Sequence, residues 1–147
     1  MNTPAAPRPP VVSRRALVAG ALLLAGWAGW RALDDRRVAE FSVTLEAARQ
    51  AHEAGQALLV DIREPAEHAT GVAAGARLLP LSQLARRRHE IPTDPARPVL
   101  LICATQNRSS ATLRELHGLG LHHVRYVHGG MRGWVQRGWP TVAPGTR

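Results

Sequence analysis

Between Pro98 and Cys103 the chain reads Val99-Leu100-Leu101-Ile102, an apolar run with no position left to face water. Four residues are too few for a packed helix, so the run predicts a strand covered on both faces. That demand shapes everything around it, because a strand buried twice needs helices on either side of its sheet. Ala57-Leu58-Leu59-Val60, ending at Asp61, and Val124–Val127 read as companion strands. Leu78-Leu79 pairs briefly before Pro80. Helices fill the intervals. Thr44 caps one over Leu45–Ala54, which Gly55 stops. Glu64–Ala69 carries Pro65 at its start, and Ser82 opens a polar helix running to Glu90. Another begins at Ser109 or Ser110 and ends at His117, before Gly118 and Gly120. Met131–Arg137 follows the tight turn at Gly129-Gly130. Strands alternating with helices predict an α/β domain, a parallel sheet with helices on both faces. Ligands of such sheets gather at the carboxyl ends of the strands.

The domain so defined covers residues 41–142, with 143–147 as a tail, and about 100 residues bury one modest core. Cys103 is the one cysteine in 147 residues, so no intrachain disulfide is available. The charge of +8 comes from 19 arginines and no lysine against 11 acids. It divides into +3 over residues 1–40 and +5 over residues 41–147, and so forms no basic stripe of the kind nucleic acid requires.

The amino-terminal residues have a different grammar. Residues 1–15 form a basic, Pro- and Ala-rich leader that ends in Ser13-Arg14-Arg15. An apolar run from Ala16 to Trp30 follows, extending to Leu33 if Arg31 snorkels, and residues 34–40 are a polar linker. A basic flank ahead of an apolar run marks a membrane-targeting segment. Eighteen positions over 16–33 fall slightly short of the roughly 20 that span hydrocarbon, while Trp27 and Trp30 suit an interfacial belt. These features favour an uncleaved anchor over a removed signal. They predict attachment to a bacterial inner membrane. Arginines flank the run on both sides, so the amino-terminal position and the Arg14-Arg15 pair are what place the domain on the periplasmic side. Export as a soluble protein, or a cytoplasm-facing domain, are the alternatives.

Cys103 follows the buried strand directly, and its segment runs into a helix. A thiol so placed lies at the carboxyl edge of the sheet and beneath a helix amino terminus. Unpaired N–H groups and the positive dipole end favour thiolate there, and Arg108 adds a full charge. The arrangement predicts a nucleophile with a thiol pKa below the about 8.5 of free cysteine, beside a ready anion pocket. Only four residues separate Cys103 from Arg108. Cysteine phosphatases place five between the same two residue types, and the smaller ring favours a sulfur atom over a phosphoryl group.

The blocks in order resemble the rhodanese (sulfurtransferase) domain family over residues 41–142. Leu58-Leu59-Val60-Asp61-Ile62-Arg63-Glu64-Pro65-Ala66-Glu67 looks like its first signature. Gly71…Gly75-Ala76…Leu79-Pro80-Leu81 matches the next block, and Cys103–Arg108 matches the active loop in length. Gly129-Gly130-Met131-Arg132-Gly133-Trp134 and Gly138-Trp139-Pro140 match the closing pattern. The resemblance implies a three-layer sandwich with a mostly parallel central sheet. It implies persulfide chemistry: Cys103 takes sulfane sulfur from thiosulfate or a related donor and passes it to cyanide or a thiol. Ala104, Thr105, Gln106, Asn107 and Arg108 would bind the substrate sulfur through their backbone amides. No cofactor is implied, and a monomer is expected.

Gln106 stands where the family usually has Gly, Ala104 where many members carry Arg, Val72 where His is usual and His68 where an aromatic is usual. The first two departures motivate a competing reading, a non-catalytic sulfur-binding or protein-interaction module at the membrane. A glycine-like φ at position 106 would strain Gln. The other two read as packing changes. Asp61 and Arg63 read as a structural ion pair, and Trp134 and Trp139 as packing. His117, His122, His123 and His128 lack a second cysteine or an acidic partner at ligand spacing, so no metal is expected. Arg86-Arg87-Arg88 reads as a solvated helix face.

Overall fold

A computed structural model describes residues 40–146, together with Gly29, Leu33 and Arg36 ahead of them. The chain divides into two compact units, Met1–Arg37 and Val38–Arg147, and the fold below belongs to the second. The leader and nearly all of the 16–33 run and its linker lie outside the described residues. Among the described residues no helix is long and apolar enough to cross a membrane.

The elements follow in the order β1 (Ser42–Val43), α1 (Leu45–Glu53), β2 (Leu58–Asp61), α2 (Pro65–His68) and β3 (Arg77–Leu78). Then come α3 (Leu84–Arg87), β4 (Val99–Ile102), α4 (Asn107–Gly118), β5 (Val124–Val127) and α5 (Gly130–Gln136). One sheet of five strands runs β1-β5-β4-β2-β3, and every pair in it is parallel. A lone antiparallel bridge ties Val72 to Val142.

The pleat sorts β4 between two cores, because successive side chains point to opposite faces. Val99, Leu101 and Cys103 join Leu113 and Leu116 of α4 and Leu84 of α3. Leu100 and Ile102 join Leu45 and Ala48 of α1 and Met131 and Trp134 of α5. Helices therefore cover both faces, as the all-apolar β4 demanded. Full burial of each large β4 side chain contributes about 1.5–3 kcal/mol.

Several local expectations hold for the reasons given. Thr44 Oγ1 accepts from Ala47 N at 3.2 Å, and Gly55 takes φ +69° beyond the end of α1. Pro65 opens α2. Three details differ. The edge strands β1 and β3 have two residues each, too few to show a period, so Ser42–Val43 went unread and the pairing near Leu78 starts at Arg77. The stretch expected as one helix from Ser82 to Glu90 is a short α-turn between two 3₁₀ turns, Leu81–Gln83 and Arg88–Glu90. Finally, α4 begins at Asn107 rather than at a serine. Ser109 and Ser110 are good capping residues, but their hydroxyls bond back to Gln106 O and Asn107 O, both at 3.1 Å, inside the first turn.

Candidate active site

Because α4 starts early, the irregular loop after Cys103 is only Ala104–Gln106, and Arg108 stands in the first helical turn. Cys103 is 1% exposed, at the end of the central strand and on the α4 side of the sheet. Its Sγ lies 3.5 Å from Ser109 Oγ, toward which the thiol donates. Ser109 is fully buried, and its hydroxyl donates in turn to Gln106 O. The first intrahelical bond of α4 runs from Ser110 N to Gln106 O at 2.9 Å. The N–H groups of Asn107, Arg108 and Ser109 precede it and have no partner within the helix. Among the described residues, no backbone carbonyl accepts from the N–H groups of Ala104, Thr105 or Gln106 either.

The carbonyls of Cys103 and Ala104 are bound from behind. Met131 N donates to Cys103 O at 2.8 Å, and Arg132 N donates to Ala104 O at 2.9 Å. The amino terminus of α5 thus holds the loop from behind. Gly130 makes that approach possible: with φ +57°, a Cβ there would sit 2.2 Å from Thr105 O and 2.4 Å from Cys103 O. Gly129 N donates to Gln106 Oε1 at 3.3 Å, so the Gln side chain is used to join loop and turn. Gln106 has φ −155°, and no non-Gly residue among those described has positive φ. The strain that would have argued for an inactive loop is absent.

Arg108 faces a carboxylate. Its Nη1 and Nη2 donate to Glu67 Oε2 and Oε1 at 2.7 and 2.6 Å. This fork holds the Glu67 carboxyl down to about 2 and raises the Arg108 guanidinium above its ordinary range. Glu67 is in turn placed by α2, where its Oε2 accepts from Glu64 N at 3.0 Å. Behind it lies a buried ion pair. Arg63 donates to both oxygens of Asp61, Nε to Oδ1 at 3.0 Å and Nη2 to Oδ2 at 2.6 Å. Its remaining donors reach Glu67 O and Gly71 O, at 3.2 and 2.8 Å. Asp61 and Arg63 have the structural role that their sequence suggested. His68 is buried beside them with Nε2 3.5 Å from Asp61 Oδ1 and no hydrogen-bond partner. Val72 is also buried, in keeping with packing roles for both.

The loop residues named from sequence therefore come together, with Ala104, Thr105 and Gln106 half-buried and Asn107 exposed. Ser109, Glu67 and Gly130 are additions. Ser109 was read only as a helix start, and Glu67 only as part of a sequence block. Several of the remaining candidates have structural partners. His117 Nε2 meets Val124 O at 3.0 Å, and His123 Nε2 meets Pro92 O at 2.8 Å. Trp134 and Trp139 pack edge to face, their centroids 5.0 Å apart, with Arg49 stacked on Trp139. Arg87 is bound to Glu90 and Gln83. Among the described residues, no group of His, Cys, Asp and Glu is placed to hold a metal ion.

The domain is a parallel α/β fold that presents one thiol at the carboxyl edge of its central strand, beneath a helix amino terminus. A family model for the rhodanese-like domain matches residues 44–137. The chain belongs to that family. It is 40% identical over 87 residues to a sulfurtransferase of Allochromatium vinosum, covering 59% of this chain and 79% of that protein. An uncharacterized Bacillus subtilis protein, YqhL, is 40% identical over 79 residues, covering 54% and 61%. This chain thus spans less than two thirds of the Bacillus relative. The crystal structure of a rhodanese-related protein from Thermoplasma volcanium superimposes with a TM-score of 0.61 at 30% identity, over 69% of this chain and 96% of that one.

Proposed function

We propose that the protein is a sulfurtransferase that carries sulfane sulfur as a persulfide on Cys103. The observation that carries this reading is the placement of Cys103: one thiol, against Ser109 Oγ, before a loop whose N–H groups lack backbone acceptors. In the first half-reaction the Cys103 thiolate attacks the outer sulfur of thiosulfate. An S–S bond forms on Cys103 as the donor's own S–S bond breaks, and its electron pair leaves with sulfite. In the second, cyanide or a thiolate attacks the terminal sulfur, taking it as thiocyanate or a persulfide and returning Cys103 as thiolate. Covalent transfer through one site gives ping-pong kinetics. Amide donors from the loop and the α4 amino terminus supply the field for the terminal sulfur's negative charge, as they would for an oxyanion.

The membrane part of the reading rests on sequence. The apolar run over 16–33 and its basic flank support a tether to the inner membrane; the amino-terminal position of that run and the Arg14-Arg15 pair favour a domain in the periplasm. Cell fractionation and protease accessibility of spheroplasts test it. For the chemistry, initial rates with thiosulfate and cyanide varied together should give parallel double-reciprocal lines. Absence of thiocyanate formation from thiosulfate and from other sulfane-sulfur donors would overturn the assignment.

A further inference from the structure

Three arginines stand close to the loop, and two of them are committed. Arg63 is tied to Asp61 and to two carbonyls, and Arg108 is neutralised by Glu67. Neither offers a free charge to an incoming anion. The third is Arg132 of α5. Its backbone N–H is bonded to Ala104 O, its side chain is exposed, and no acceptor among the described residues holds its guanidinium. It lines an open cleft of about 330 Å³ with Ala104, Thr70, Gly71 and Gln136. On its other side it lines the hollow over His128 and Gly129.

The burial of Cys103 defines what such a cation would meet. The thiol is 1% exposed, and the cleft that Arg132 lines adjoins it through Ala104, the next residue in the chain, so a charged group bound there would lie at the edge of the loop. The rim at Ala104 is a methyl group, which leaves the cleft open and supplies no charge. We propose that Arg132 forms an anion subsite at the rim of the loop that binds the oxyanion end of a small sulfur donor, selecting donors by negative charge. Guanidinium suits this work because its fork matches two oxygens of a sulfonate-like group. The subsite deepens the sulfurtransferase reading above and takes its substrate class from it.

The test separates binding from turnover. The full chain with Cys103→Ser cannot form a persulfide, so amide chemical shifts of residues 104–108 titrated with thiosulfate report binding alone. Adding Arg132→Gln should weaken that binding about tenfold, the worth of one charge-assisted contact. Arg132→Lys should retain most of it. With Cys103 intact, Arg132→Gln should raise the thiosulfate KM by a similar factor at unchanged kcat, and the monoanionic benzenethiosulfonate should be affected less. Adding Ala104→Arg should restore thiosulfate binding from the other side of the cleft. Equal thiosulfate affinity with and without Arg132 would overturn the subsite, whatever the turnover. Arg132-dependent binding in a protein that forms no persulfide would uphold the subsite and sink the sulfurtransferase reading instead.

Discussion

Arg108 and Glu67, 41 positions apart in sequence, close on each other through two parallel hydrogen bonds of 2.6 and 2.7 Å. The fork joins the first turn of α4 to α2 and so fixes the far end of the loop that begins at Cys103. Arg108 is thereby a positioning group, since its charge is already balanced. Glu67→Gln keeps an acceptor for Glu64 N but loses the charge. It should lower kcat about tenfold, with stability at pH 7 reduced by about 1 kcal/mol for a half-exposed fork. Urea unfolding and steady-state kinetics check both.

The same pair gives a pH dependence. The Glu67 carboxyl, held by Arg108, titrates at about 2 when folded against an ordinary 4.5. A depressed carboxyl contributes its stability in full above 4.5 and loses it as pH falls toward 2. The wild-type advantage over Glu67→Gln should therefore be constant from pH 5 to 7 and shrink progressively below 4.5. Unfolding midpoints across pH 2–7 would show this, and a difference that stays constant down to pH 2 would contradict it.

How much of this could be read beforehand depends on whether the signal was local. Val99–Ile102 announced a doubly covered strand because every residue in it is apolar, and that alone implied the layered sheet. Cys103 and Arg108 were legible because strand, thiol and helix are adjacent in the chain. Glu67 was not, since its partner lies across the fold and a glutamate in a first helical turn has a local explanation as well. Ser109 was hidden by the opposite fault: its capping preference drew the helix start two residues too late. The conformation of Gln106 is set from outside its own segment, because its Oε1 is bound to Gly129 N from another turn.

Gly130 has the closest backbone approach in the site, so Gly130→Ala should displace the loop. A Cβ 2.2 Å from Thr105 O cannot be relieved by a side-chain rotation. With positive φ added, the substitution should cost about 2–3 kcal/mol and reduce activity at least about a hundredfold. Gly118→Ala is the control. It has open space and no positive φ, so thermal unfolding should show it neutral or slightly stabilised.

Asp61→Asn leaves the buried Arg63 guanidinium without its counter-charge, while the bonds from Arg63 to Glu67 O and Gly71 O remain possible. Breaking a buried pair from one side costs about 3–5 kcal/mol. Calorimetric unfolding should show a loss of that order, larger than for Glu67→Gln.

Ser109→Ala removes the one hydroxyl that, among the described residues, lies within hydrogen-bonding reach of Cys103 Sγ, and leaves the first-turn backbone in place. If the Ser109 hydroxyl turns from Gln106 O to donate to the thiolate once Cys103 ionises, its removal should slow persulfide formation about tenfold, the scale of one hydrogen bond on a reacting group. Single-turnover mixing with thiosulfate measures it, and an unchanged rate would exclude Ser109 from the chemistry.

The central claim is that sulfur rides on Cys103. Intact-mass spectrometry of the full chain after incubation with thiosulfate tests it without any assumption about the acceptor. The account predicts a gain of one sulfur atom, located to the peptide containing Cys103, removed by cyanide and absent in Cys103→Ser. An unaltered mass with thiosulfate and with other sulfane donors, or an adduct that persists in Cys103→Ser, would contradict it.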